Sequence, residues 1–175
     1  MNARQEAADR REIADLVARY CRAIDRLELS VVADLYIPGG IDHHTGFDGP
    51  VEEFVDWLAG VLPSLEGSFH IIGTHLAEVH GDRAIAETYA TAWHWSAGGD
   101  DPSRNFVSLV RYVDDLVRYD GRWRVRERWA VRERVFSLAG LALPSAAPGP
   151  RGSRDTDDPL AVLRARYASA AEDVR

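Results

Sequence analysis

The sequence predicts an α+β fold in one principal domain, with helices first and an antiparallel sheet after them. Two observations carry this expectation. Up to about residue 63 the apolar residues recur at three- and four-residue spacing, whereas beyond residue 68 the period falls toward two. The β-rich stretches are joined by turn signals, not by helical segments, which is the segregated pattern of an α+β protein and not the alternation of a doubly wound sheet.

In the first helix, expected over 5–27, Ile13, Leu16, Val17, Tyr20, Ile24 and Leu27 form one stripe, and Arg19, Arg22 and Arg26 fall opposite. Ser30 is placed to cap a short helix over 31–36, ended by Pro38-Gly39-Gly40. After Asp48-Gly49-Pro50 a third helix runs to about Pro63 on Val51, Phe54, Val55, Leu58 and Leu62. Strands follow over 68–80, 83–96, 105–119 and 122–136, separated by Gly81-Asp82, by 98–102 and by Asp120-Gly121, of which Asp-Gly is a strong hairpin signal. The expected organisation is a domain over 1–137, a Pro/Gly/Ala-rich linker over 138–158, and a helix or disordered tail over 159–175.

Composition narrows the function. The chain has 175 residues, a net charge of −7 and a single cysteine, Cys21, so an internal disulfide and any cysteine-rich metal or iron–sulfur site are excluded. All 21 basic residues of the Lys+Arg count are arginines, which removes Schiff-base lysines and Walker-type phosphate loops. An acidic surface argues against nucleic acid or an anionic membrane as partner. The charged start of the chain and the lack of a long apolar run lead us to expect a cytoplasmic protein.

Chemistry therefore falls to histidines and carboxylates. His43 and His44 are adjacent and His70 and His75 are five apart, spacings that do not converge on a metal unless a bulge at Gly73 intervenes, so no metal is expected. Asp25 lies on the shoulder of the first helix and can face the interior, and His70 opens the meander among Phe69, Ile71 and Ile72. From the pattern alone, a half-exposed Asp25 paired with an arginine and a His70 at the edge of the core are the readings favoured. Regular alternation puts Arg122, Arg124, Arg126, Arg128, Arg132 and Arg134 on one face, opposite Trp123, Val125, Trp129 and Val131.

The stretches ARYCRAIDRLELSVVADLY, SFHIIGTHLAEVHGDRAIAETY and YDGRWRVRERWAVRE resemble the SnoaL-like branch of the nuclear-transport-factor-2-like superfamily over roughly residues 8–137. The similarity is nearest to the subgroup of hexachlorocyclohexane dehydrochlorinase, bile acid 7α-dehydratase and scytalone dehydratase. It implies a cone-shaped α+β barrel of helices on a curved, mainly antiparallel sheet. It also implies a catalytic Asp–His dyad at Asp25 and His70, with the dehydratase tyrosine at Tyr20 and the dehydrochlorinase arginine at Arg128. Pairing or trimer formation through the outer sheet face is a further implication.

The expected activity is then a lyase or isomerase that needs no cofactor: His70 takes a proton from carbon, Asp25 orients the ring, and Tyr20, with His75 behind it, donates to developing charge. Tyr36, Phe47, Trp57 and Phe106 are candidate walls of a hydrophobic pocket. Trp93, Trp95 and Trp129 are candidates for the same wall, and Arg128 is a further substrate-binding candidate. Such a wall suits a polycyclic, terpenoid or polyketide-like molecule. Binding without turnover, or a role in protein association, is the alternative.

Overall fold

The computed structural model describes residues 2–96, 105–138 and 152–172. The chain divides into two compact units, Met1–Ala142 and Leu143–Arg175.

In the first unit, helix α1 spans Ala3–Arg26. The Asn2 side chain caps it by accepting the Gln5 N–H at 2.8 Å, and Leu27 ends it in the left-handed region at φ 56°. Ile13, Leu16, Val17, Tyr20 and Ile24 of its apolar stripe are buried as expected, and Leu27 at the cap is half-buried. Helix α2 (Leu29–Asp34) begins one residue before Ser30, so Ser30 sits inside the first turn and caps nothing; Glu28 holds the cap position without a side-chain bond.

The sequence-based expectation next fails in an instructive way. Pro38-Gly39-Gly40 does not end the segment in a loop: it lies within strand β1 (Tyr36–His44), which turns back into β2 (Phe47–Pro50). Strand β1 pairs parallel with the last strand only at Tyr36 and again from Ile41, with an irregularity between, where Gly39 takes φ 70°. A strand broken by a glycine bulge carries too short an alternating run to register as one. Helix α3 (Val51–Val61) follows, packs Phe54 and Leu58 inward, and closes through a 3₁₀ turn at Leu62–Ser64.

Strands β3 (Leu65–His80), β4 (Arg83–Ser96), β5 (Phe106–Tyr119) and β6 (Arg122–Ser137) form the expected antiparallel meander. Asp120 and Gly121 both have positive φ, 49° and 75°, the backbone demanded by a two-residue primed turn. The sheet order is β2-β1-β6-β5-β4-β3, which leaves β3 at one edge. The sheet is curved and unclosed, and the helices pack on its inner face. The separator over 98–102 lies outside the described residues.

Bulges decide which side chains face inward. One in β3 lies between Ile72 and His75, which puts His75 on the same inner face as His70. Another makes Arg126 an extra residue opposite the Asp115–Leu116 step of β5. It reverses the alternation of β6, so the expected single face of arginines does not form: Trp123 and Val125 are buried, and so is Arg128, while Trp129 turns outward. The outer face of the sheet exposes Phe69, Ile71, Ile85, Tyr89 and Trp93.

The second unit contains α4 (Pro159–Glu172), in the region where a last helix was an option. Asp158 accepts the Leu160 N–H at 3.0 Å in its opening turn. Residues 139–151 of the expected linker lie outside the described residues.

His43 fastens the β1–β2 hairpin to β6. Its Nδ1 lies 3.0 Å from Asp48, its Nε2 lies 2.9 Å from Glu127, and its ring stacks on Trp129 at 5.2 Å. The hydrogen bond to Glu127 is the main cause that raises its pKa above 6.5, partial burial opposes it, and Asp48 adds to the rise. A raised value means that the protonated ring stabilises the fold in full below about pH 6.5 and that this contribution is lost as pH rises through the folded value. Thermal melts of wild type and His43→Gln are therefore expected to differ by about 2–4 °C more at pH 5.5 than at pH 9.

Candidate functional site

Near the end of α1, Asp25 reaches the edge strand β3. Its Oδ1 lies 2.6 Å from His70 Nδ1, and its Oδ2 accepts the His70 backbone N–H at 2.9 Å. The second bond follows from topology, because an edge strand has backbone donors with no neighbouring strand to take them. Both side chains are largely buried. Burial pushes the Asp25 pKa up, but hydrogen bonds from the His70 ring and backbone and from Ser68 outweigh it and hold the carboxyl below its usual 3.8. An ionised carboxylate only accepts, so His70 Nδ1 carries the hydrogen and Nε2 is the ring's basic nitrogen.

His70 lines a cavity of about 260 Å³. Tyr20, Ile24, Ala92, Ser108 and Tyr112 are its buried floor, and Trp57, Leu58 and Phe106 are among its walls. Exposed Thr45, Val61 and Arg132 stand at the rim. The small floor residues of β4 and β5 are what leave the space open.

Two further histidines line it. His94 meets the His70 ring edge-on at 5.8 Å and stacks on Phe106 at 4.5 Å. Burial first, and the neighbouring His70 second, push its pKa down to about 4, so it is neutral at neutral pH. His44 comes from β1, across the sheet from His70, and its Nδ1 lies 3.0 Å from Asp42. Asp42 is fully buried and also accepts the Tyr36 hydroxyl at 2.5 Å. The cavity thus carries two His–carboxylate pairs.

The structure brings Asp25, His70, Tyr20, Trp57 and Phe106 to one place. It does not bring the other expected residues to the cavity. Tyr36 turns to Asp42 behind the wall, and Phe47 packs on Phe54 and Trp57 beside a separate shallow depression. His75 faces inward through its bulge but bonds Thr88 at 2.8 Å. Trp93 and Trp129 lie on the outer face, and Trp95 covers Gly67, where any Cβ would overlap its ring.

Arg128 is fully buried yet does not reach the cavity surface. Its Nε and Nη2 donate to the two oxygens of Asp114 at 2.6 and 2.7 Å, and its guanidinium lies over Tyr20 at 4.1 Å and Tyr112 at 4.9 Å. Burial disfavours its charge, but Asp114 more than offsets this, so it stays protonated. Burial also raises the Tyr20 pKa, which keeps that hydroxyl a donor.

Sequence reasoning missed Asp42, His44, His94, Asp114 and Arg132 as parts of this region. His94 was within reach, because two-residue alternation from Ala90 and Ala92 puts it on their face. Asp114 was too, because it alternates with buried Tyr112 and Leu116 on β5; Arg132 was not, since its facing depends on the Arg126 bulge.

A family model for the SnoaL-like domain matches residues 5–129. The chain belongs to the SnoaL-like family. An uncharacterized protein of Mycobacterium tuberculosis is 29% identical over 126 residues, 70% of this chain and 84% of that protein. Among solved structures, a type 2 hexachlorocyclohexane dehydrochlorinase is similar to this SnoaL-like chain at TM-score 0.73 and 17% identity, covering 84% of this chain and all of that one. A protein of Novosphingobium aromaticivorans provisionally named a scytalone dehydratase is similar at TM-score 0.70 and 16% identity, covering 87% and 100%. At these identities the likeness is one of fold.

The buried ion pair beneath this SnoaL-like cavity yields a stability prediction. Asp114→Asn leaves the Arg128 charge without its counterion and is expected to cost about 3–5 kcal/mol in urea denaturation. The double variant Asp114→Leu/Arg128→Met is expected to recover more than half of that loss.

Proposed function

We propose that this SnoaL-like domain is a cofactor-independent lyase or isomerase of dehydratase type, in which His70 removes a proton from carbon on a small hydrophobic substrate. The observation that carries the reading is the Asp25–His70 pair beside an apolar cavity. Asp25 fixes the ring tautomer and stabilises the imidazolium that forms. His70 Nε2 takes a proton from the carbon next to a carbonyl, and the electron pair moves into the carbonyl as an enolate. Collapse of the enolate expels hydroxide, protonated to water, or halide from the neighbouring carbon; return of the proton to another carbon gives an isomer. Tyr20 and neutral His94 are wall groups able to donate to developing charge, and the Asp42–His44 pair supplies a second position for proton exchange.

Cavity size limits the substrate. An engineered cavity of about 150 Å³ holds benzene, and a volume of about 260 Å³ suits one or two rings better than a larger polycycle. The test is a panel of bicyclic β-hydroxy and β-halo ketones, with the conjugated product read by absorbance. Wild type is expected to turn over members of the panel, and His70→Ala and Asp25→Asn to lose about 10²- to 10⁴-fold in kcat while still binding. No turnover by wild type, or unchanged turnover in His70→Ala, would sink the assignment.

The outer sheet face is proposed to be covered by a second copy of the chain. Its exposed Phe69, Ile71 and Trp93 form a contiguous patch across β3 and β4, and contiguous apolar patches on soluble proteins mark contacts. Charges beside it are paired within the face, with Arg111 bonded to Glu87 at 2.9 Å and to Glu133 at 3.0 Å. Two molecules of net charge −7 meet best where the local charge is balanced. Light scattering after gel filtration is expected to give a multiple of 19.5 kDa for wild type and 19.5 kDa for Ile71→Glu/Trp93→Glu. A wild-type monomer refutes the contact.

A further inference from the structure

The Arg126 bulge turns two arginines of β6 inward, and the fold treats them in opposite ways. Arg128 receives a carboxylate and two aromatic faces. Arg132, paired across the sheet with Val110, lines the cavity at its exposed rim. Among the described residues Arg132 has no carboxylate partner, and no Asp or Glu is among those lining the cavity. The result is a fixed cation at the mouth of a largely apolar chamber, in a protein whose net charge of −7 would otherwise repel anions.

We infer that Arg132 is an anion-binding anchor and that the cavity takes small one- or two-ring carboxylates, apolar body inward and carboxylate at the rim. A guanidinium fork matches a carboxylate in two parallel hydrogen bonds, and a partly desolvated site strengthens them. The inference rests on the proposed chemistry only for the identity of the reacting end. His70 on β3 and Arg132 on β6 are separated by three strand spacings of about 4.8 Å along the sheet. The anchored carboxylate is therefore remote from the carbon that His70 would deprotonate. That separation suits the chemistry, because a carboxylate is a poor activator of a neighbouring C–H; the activating carbonyl belongs at the His70 end. Across the span the floor residues Ala92, Ser108 and Val110 leave room for a flat ring. Binding energy gathered at Arg132 then orients the substrate without taking part in the bond changes.

The probes are 2-naphthoate and its uncharged counterpart 2-naphthylmethanol, titrated into the full chain by calorimetry. Wild type is expected to bind the carboxylate about tenfold more tightly than the alcohol, the size of one charge-assisted hydrogen bond. Arg132→Gln is expected to bring the two within about twofold while leaving the alcohol affinity unchanged, and Arg132→Lys to keep part of the preference. Added salt is expected to shrink the wild-type preference. Equal binding of both probes by wild type, an equal weakening of both in Arg132→Gln, or binding of neither overturns the inference. His70→Ala separates this outcome from the catalytic reading: it is expected to keep the carboxylate preference whether or not turnover is lost.

Discussion

Asp25 accepts two hydrogen bonds from one residue, through the ring of His70 and through its backbone, and much of the site depends on that double contact. The backbone bond satisfies a donor on the edge strand that no other strand can reach, and so fastens the end of α1 to β3. The ring bond then holds the imidazole at a fixed angle beside the cavity. A helix one turn shorter would leave the strand edge open and the ring free to rotate. Structural closure and chemical orientation are therefore supplied by one carboxylate.

A second layer lies beneath the cavity floor. Tyr20 and Tyr112 meet edge-to-face at 5.6 Å on the cavity side, and the Arg128 guanidinium covers both from the other side. A buried guanidinium is tolerated only with a matched carboxylate, which Asp114 provides from the neighbouring strand. This layer contains one positive and one negative charge locked together, so it adds little net field to the cavity while making the floor stiff. In the proposed reaction this rigidity matters, because the base must sit within hydrogen-bond reach of a single carbon-bound proton.

Most of the scaffold was legible from periodicity. The stripe of α1 and the alternation of β3 to β6 are strong signals because one face of each element is buried. The Asp25–His70 juxtaposition was not legible from spacing, since the two residues are 45 apart in sequence and nothing local relates a helix shoulder to a strand edge; the resemblance to the SnoaL-like family pointed to it. The β1–β2 hairpin was lost because its glycines read as breakers. The facing of Arg128, Trp129 and Arg132 was lost for a sharper reason: one extra residue at Arg126 inverts the side chains that follow it as far as Arg132, and alternation rules assume that no such residue exists.

The electrostatics of the pair follow from where its charge is compensated. Asp25 remains ionised inside the protein because three donors, two of them from His70, outweigh the cost of burial. When the imidazole gains a proton, the new positive charge appears next to a carboxylate already in place, so no solvent or side chain need move to meet it. Neutral His94, edge-on to the same ring, adds no competing positive charge. Had His94 kept the usual histidine pKa near 6.5, its protonation in mildly acidic solution would have opposed the charge developing on His70. For the proposed reaction, its burial against Phe106 is thus as much a condition of His70 acting as the base as Asp25 is.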